Sequence, residues 1–552
     1  MKDFSKEIKA YALKNAIEFG KADSGRILPK LFQHGLDKGE IKEVMPKINE
    51  LVKEVNSMSE EDRKKYFEKY ESYVVEREIA DKGLPELQNV GGRLVLRVAP
   101  FPSGAMHIGN AKTFILNALY VEKYKGRLIL VIDDTIGSEK KPIEKEAYEL
   151  IKDAFKWLGI KHEKKIVYKS DRLGLYYEYA EKLIKKGAAY VDYTPQEKMR
   201  ELRAQGVESG DRHLPPNIQL GRWKEMFKMK EGEAVLRIKT NMQDPNPAFR
   251  DRVLFKISDR EHPRTKKKYR VWPTLEMSWA VDDYLLGITH IIRGNDLMIE
   301  SDMERFIWDI FGWRHREIIH TGMVNIEGVE DKISKSKSRE EVKSGKFTGW
   351  DDPRTWSIQS LARRGISPLA LREFVKEIGL NKQNINIPID SLYSINRKMI
   401  DKETDRYFFV KDQRKIDIRN RPKEIKIVNL LMHPDKKESR EVKIKDIYIS
   451  IDDFLELKGK EIRLLHLYNI KLDKSESAEF TDLENKDIPR IQWVSEGVKT
   501  RILLPSGIWI EGLAEKAVKN LKVGEVIQFE RVGFARFDGK KKGVCEFWFA
   551  FR

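Results

Sequence analysis

Cysteine is the scarcest residue type in this chain: Cys545 is the only one among 552 residues. A single thiol excludes an intrachain disulfide framework and any zinc site built from several cysteines. Long apolar runs are missing too, and no stretch approaches the ~20 residues needed to cross a bilayer. The opening segment, MKDFSKEIKAYALKNAIEF, carries charges throughout and lacks the apolar core of a secretory signal. Internal repeats and long low-complexity tracts are absent. These absences predict a soluble, cytoplasmic protein with no membrane association.

Charge, by contrast, is plentiful and unbalanced. Lys and Arg number 105 against 88 Asp and Glu, giving a formal net charge of +17. Such an excess suits a polyanionic partner, through phosphate contacts and counterion release, although a basic soluble protein with no nucleic-acid role has the same composition. The chain is too long for one hydrophobic core, and roughly three to five domains are expected.

The hydrophobic period changes along the chain. Phe4, Ile8 and Tyr11 recur at helical spacing in a Lys/Glu-rich opening segment. From Arg93, Leu94, Leu96 and Val98 alternate as in a strand. Ile108, Ala111, Ile115, Ala118 and Leu119 then mark one helical face, which Gly126 is expected to end. RLILVIDD is an apolar run of the kind found in buried parallel sheets. Strand, helix, strand is the opening of a doubly wound α/β fold. Residues 367–379 predict a helix with Ser367 as N-cap, Pro368 at its first position and Gly379 past its end. Beyond about residue 400 short strands dominate, with Gly533 as a bulge, Asp538–Gly539 as a hairpin turn, and Cys545, Phe547, Phe549 and Phe551 at every second position.

Two constellations carry chemistry. PFPSGAMHIGN, residues 100–110, lies between a strand and a helix. Ser103 and Gly104 permit close backbone approach to a ligand. His107 and Asn110 are hydrogen-bonding side chains about one helical turn apart, and the helix start beside Gly109 offers free N–H groups to a phosphate. A histidine at a helix start also serves purely structural ends. DKISKSKS, residues 331–338, places Lys332 and Lys335 on either side of Ser334. Two such lysines neutralise charge developing on a leaving pyrophosphate, while a solvated basic turn has the same composition.

Together these segments resemble the HIGH and KMSKS motifs of class I aminoacyl-tRNA synthetases. The resemblance runs from about residue 91 to the C-terminus and is to the glutamyl/glutaminyl branch. RVAPFPSGAMHIGNAK, VIDDTI, VDDYLLGITHIIRGND, WDDPR, ARRGISPLALREFVKEIG and IQFERVGFARFD each match segments of that branch. The barrel-type C-terminal region and the N-terminal appendage resemble the archaeal type of glutamyl-tRNA synthetase. The resemblance implies a multidomain α/β protein: a Rossmann-like class I synthetase core, a helical N-terminal appendage and C-terminal β-barrels. The corresponding boundaries are 1–90 for the appendage, 91–168 and 271–325 for the two halves of the nucleotide-binding fold, and 169–270 for an acceptor-binding insertion. A KMSKS-type loop with a helical connection covers 326–400, and anticodon-binding barrels cover 401–552.

By the same resemblance the chain is a glutamate–tRNA ligase that uses ATP to form glutamyl-adenylate and transfers glutamate to the tRNA 3′ end. Glutamine tRNA remains open as a second tRNA substrate, and glutamine–tRNA ligation or a non-catalytic tRNA-binding role stand as alternatives. The catalytic residues implied are His107, Asn110, Lys332 and Lys335. ATP is held by Ser103, Gly104, His107, Gly109, Asn110, Lys332, Ser334 and Lys335. Mg²⁺ is expected to arrive with ATP and not in a protein cage. Arg97 and Asp133 match amino-acid-binding positions. Arg293 matches an arginine of the glutamyl enzymes, where an amide ligand would leave a buried guanidinium without its anion; a structural salt bridge is the other reading. Arg406 matches an arginine that reads an anticodon base. Oligomeric state is open, with a monomer expected. The chain departs from the family pattern where Leu275 replaces a tyrosine that touches the amino-acid side chain and Trp279 replaces a polar neighbour. Asn110 and Ile333 are smaller departures.

Overall fold

The computed structural model describes residues 3–74, 83–139, 141–329, 335–474 and 477–552. The chain divides into two compact units, up to Lys82 and from Gly83 onward. The first is helical: α1 (Ser5–Phe19), α2 (Ser24–Leu31), α3 (Ile41–Ser57) and α4 (Glu60–Tyr70). Phe4, Ile8 and Tyr11 point into a core completed by Ile27, Leu31, Val44, Ile48 and Val55. Asp23 starts α2 by accepting hydrogen bonds from the Gly25 and Arg26 amides.

The second unit opens with β1 (Val95–Val98), α5 (Ile108–Lys123), β2 (Arg127–Ile132), α6 (Ala147–Trp157) and β3 (Val167–Tyr168). An excursion follows, with α7 (Leu173–Lys185), β4 (Ala189–Asp192), α8 (Gln196–Gln205), α9 (Pro216–Met226), β5 (Val235–Ile238), β6 (Val253–Ile257) and β7 (Val271–Pro273). Its four strands form an antiparallel sheet in chain order. The chain then returns through α10 (Leu275–Leu285), β8 (His290–Gly294), α11 (Met298–Phe311) and β9 (Glu317–Thr321).

β1–β2, β2–β3 and β8–β9 pair in parallel. Thr289, just ahead of β8, donates its N–H to the Val95 carbonyl at 3.0 Å and accepts the Val95 N–H on its hydroxyl at 3.0 Å. The parallel order is therefore β3-β2-β1-β8-β9, the doubly wound arrangement expected from the opening strand–helix–strand. Its order reverses between β1 and β8, and ligands in such sheets bind at the carboxyl ends of the strands flanking that point.

Next come β10 (Val324–Glu327), α12 (Lys335–Lys343), α13 (Ile358–Arg364), α14 (Pro368–Ile378), β11 (Ile385–Pro388) and α15 (Ile389–Ile400). α14 begins as its sequence foretold, with the Ser367 hydroxyl accepting the Leu369 N–H and Leu371, Phe374 and Val375 buried.

The C-terminal strands form two nearly closed barrels. In the first, the edge strands Arg406–Tyr407 and Phe409–Lys411 are consecutive in the chain, so the seven-stranded sheet closes on itself at Phe408. The Glu515 carboxylate accepts the Phe408 N–H at 2.6 Å and pairs with Arg440, sealing that seam. In the second, a bridge between Tyr448 and Val494 joins one edge to the segment just beyond the other. Closure removes the open edges that invite aggregation.

Two local expectations are corrected. Asp538–Gly539 is not the hairpin turn; it is a register shift inside the strand Gly533–Lys541, where Asp538 receives both arms of Arg363. The turn is Lys542–Gly543, whose φ values of 49° and 80° meet the left-handed requirement at both central positions. Likewise the left-handed residue ending α5 is Lys125, at φ 49°. Gly126 serves close packing instead, since a Cβ there would lie 2.5 Å from the Leu94 carbonyl oxygen. No helix among the described residues is long and apolar enough to cross a membrane.

Candidate active site

The loop from β1 to α5 leaves the sheet at the switch point. His107 is the N-cap of α5, in extended conformation, and its carbonyl accepts the Asn110 and Ala111 amides at 3.0 Å. Its ring lies over Gly109, where a Cβ would come within 3.2 Å of the imidazole. Asn110 is half-buried with its side-chain oxygen unpaired. Ser103 is buried. Gly104 has φ 138°, and a Cβ there would stand 2.3 Å from the Trp350 ring. The close approach that Gly104 permits is therefore to Trp350, whose indole N–H is donated to Glu146 at 2.7 Å. A Gly104→Ala variant must adopt a strained backbone, worth ~1–3 kcal/mol, and also displace that ring. It is expected to lower the denaturant unfolding midpoint, with the helix content unchanged by circular dichroism.

The structure brings the flank of the second motif to this loop. Lys332 and Ser334 lie outside the described residues; Lys335 opens α12, and its side chain is not among those described. Farther along α12, Lys343 pairs with Glu144 at 2.6 Å. The Glu144 amide in turn donates to the Pro102 carbonyl at 2.9 Å. On the other side of the motif, the Val324 carbonyl of β10 lies 3.7 Å from the Cβ position of Gly109.

The α5 helix also holds a buried lysine that sequence reading missed. Lys112 donates to the Thr321 hydroxyl, the Gly322 carbonyl and the Asn381 side chain at 2.8, 2.7 and 3.1 Å. Burial pushes its ammonium down to about 8 from an ordinary 10.5. Between those values the unfolded chain binds more protons than the folded one, so the cost of burying this charge, fully present below about 8, is relieved as pH rises. The stability of the native chain relative to Lys112→Met should shift in the native chain's favour by about 1 kcal/mol between pH 7 and pH 9. Denaturant unfolding at the two pH values measures it.

Arg97 on β1, Asp133 after β2 and Arg293 on β8 do converge, but each is already matched inside the protein. Arg97 makes two 2.9 Å bonds to Asp283 of α10. Asp133 lies 3.2 Å from the Lys169 ammonium, whose pKa is lowered by burial. Arg293 makes bonds of 2.7 and 2.6 Å to Glu304 of α11. The guanidinium of Arg293 thus has an anion within the fold, the salt bridge that the sequence left as the other reading. Nothing in the spacing announced these partners: Asp283 lies on α10 and Glu304 on α11, and the pairing is set by how those helices cover the sheet.

The family models match this architecture segment by segment. Residues 93–402 match the catalytic domain of class I tRNA synthetases (E and Q), and residues 404–486 and 474–538 match two anti-codon binding domains of the same group. Similarity extends over the full length to glutamate–tRNA ligases of Pyrococcus abyssi (42% identical, 96% of each chain), Pyrococcus furiosus (42%, 96% of each) and Methanocaldococcus jannaschii (38%, 97% of each). The chain belongs to the glutamyl/glutaminyl branch of class I tRNA synthetases. As a class I synthetase it uses ATP. In this synthetase Arg406 is not a free surface cation: its guanidinium contacts His433 at 3.2 Å and Asp401 at 3.5 Å, and its amide is bonded to the Met432 carbonyl. Among the described residues no group of three or more His, Cys, Asp or Glu side chains gathers in a way that would hold a metal ion.

Proposed function

We propose that this synthetase activates glutamate with ATP and transfers it to the 3′ end of glutamate tRNA. The observation that carries this reading is the His107 helix start at the switch point, in a chain similar over nearly its whole length to glutamate–tRNA ligases. The chemistry needs no enzyme nucleophile: the glutamate α-carboxylate attacks the α-phosphate of ATP, pyrophosphate leaves, and a terminal tRNA hydroxyl attacks the adenylate. Rate comes from positioning and from stabilising charge on the phosphates. His107, the Gly109 amide region and Asn110 face the nucleotide, with Ser103 and Gly104 shaping the loop. Lys332, Ser334 and Lys335 supply charge to the leaving pyrophosphate.

Mg²⁺ carried by the ATP phosphates would supply charge neutralisation there. The barrels at 401–552 engage the anticodon arm and the 169–270 excursion engages the acceptor end. In this arrangement Arg406, held by His433, presents a preset guanidinium edge to an anticodon base. The protein acts as a monomer in the cytoplasm. ATP–pyrophosphate exchange with glutamate, with and without tRNA, tests the reading, followed by charging of glutamate tRNA and, in a second arm, glutamine tRNA. Exchange with glutamate is expected; its absence under every condition refutes glutamate activation.

A further inference from the structure

The residues implied for amino-acid binding surround a side chain, not a space. The Trp279 ring on α10 lies 4.8 Å from the Arg97 guanidinium carbon, 4.9 Å from the Lys169 ammonium and 5.0 Å from the Arg293 guanidinium carbon. Trp279 is 5% exposed, Arg293 3% and Lys169 not at all. Four buried or half-buried ion pairs line this region: Arg97–Asp283, Lys169–Asp133, Arg172–Asp282 and Arg293–Glu304. They balance one another, four cations against four carboxylates, and no cation of the four is left over for the carboxylates of an incoming amino acid. Two donors remain without an acceptor, the Trp279 indole N–H and the Arg293 Nε–H. The indole is thus held by cation contacts and not by a hydrogen bond of its own.

The helix explains how the indole reaches this position. Leu275 and Trp279 are four residues apart on α10 and share a face. Long helical side chains lean toward the N-terminal turn, so Trp279 covers the region next to Leu275. A cation over an indole face is attracted by the ring quadrupole, and more strongly when desolvated. Three such cations hold this ring.

We propose that Trp279 is the specificity-determining gate of the amino-acid site: its indole fills the space for the substrate side chain in the free enzyme, and glutamate binds only by displacing it and drawing a guanidinium away from its internal carboxylate. This rests on the glutamate-activating reading above. Removing the indole should relieve the first of those two costs. Trp279→Ala is therefore expected to lower the KM for glutamate in ATP–pyrophosphate exchange by about tenfold, with kcat changed less than threefold. A folded Trp279→Ala protein whose glutamate KM is unchanged or raised overturns the gate while leaving glutamate activation intact. Exchange by neither protein refutes glutamate activation, and the gate with it.

A truncation this large in a buried cluster can prevent folding, so a second measurement uses the intact side chain. In protein labelled with 5-fluorotryptophan, the Trp279 fluorine resonance is identified by its loss in Trp279→Phe. Glutamate with a non-hydrolysable ATP analogue should shift that resonance toward the solvent-exposed position. A resonance that stays in place at glutamate concentrations that saturate exchange overturns the gate.

Discussion

Arg293→Met is expected to cost ~3–5 kcal/mol of folding stability, because it strands a buried carboxylate. Glu304 is fully buried and both its oxygens are bonded to Arg293. Burial pushes the Glu304 carboxyl above its ordinary range even with Arg293 beside it; without the arginine it rises further. A carboxyl whose folded pKa exceeds its unfolded one binds more protons when folded, so the variant loses stability as pH rises through that interval and regains it on acidification. The deficit against the native chain should thus be larger at pH 8 than at pH 5 by denaturant unfolding. The double variant Arg293→Met/Glu304→Leu, which leaves no charge behind, should recover most of the loss. A deficit that is small and independent of pH would mean that the pair is solvated and not buried.

How much of this was legible beforehand divides by range. Local signals held. Ser367, Pro368 and the spacing of Leu371, Phe374 and Val375 specify α14 because cap, proline and hydrophobic face all act within one helix. The run RLILVI reads as a buried strand and is one. Turn chemistry failed where a distant partner decided the outcome: Asp538–Gly539 has the composition of a hairpin turn, yet Arg363 binds the aspartate and the chain turns four residues later. At the candidate site, too, distant partners set the surroundings of the residues the motifs named. Arg97 and Asp283 are 186 positions apart, and Lys169 reaches Asp133 from outside every motif. What the sequence did expose was the anomaly, Leu275 with Trp279. The fold turns that anomaly into an observation, since the tryptophan stands among the residues whose roles it puts in question.

Lys335→Ala should lower the rate of glutamate-dependent pyrophosphate exchange by ~10²–10³-fold, the usual effect of removing one group aimed at developing transition-state charge. The expectation rests on two features of the backbone. Lys335 is the first residue of α12, so its position is fixed by the helix that follows, and that helix is tied through Lys343 and Glu144 to the carbonyl of Pro102 in the His107 loop. Glu144 is thus a brace between the two motifs. In the role proposed for it, Lys335 is aimed at phosphate while pyrophosphate leaves, so its loss should appear in kcat far more than in the KM for glutamate. Because the residue begins a short, highly charged helix, the unfolding midpoint should move little. Equal kcat in the variant and the native protein would remove the lysine from the chemistry. A fall in unfolding midpoint as large as that of Arg293→Met would make its role structural.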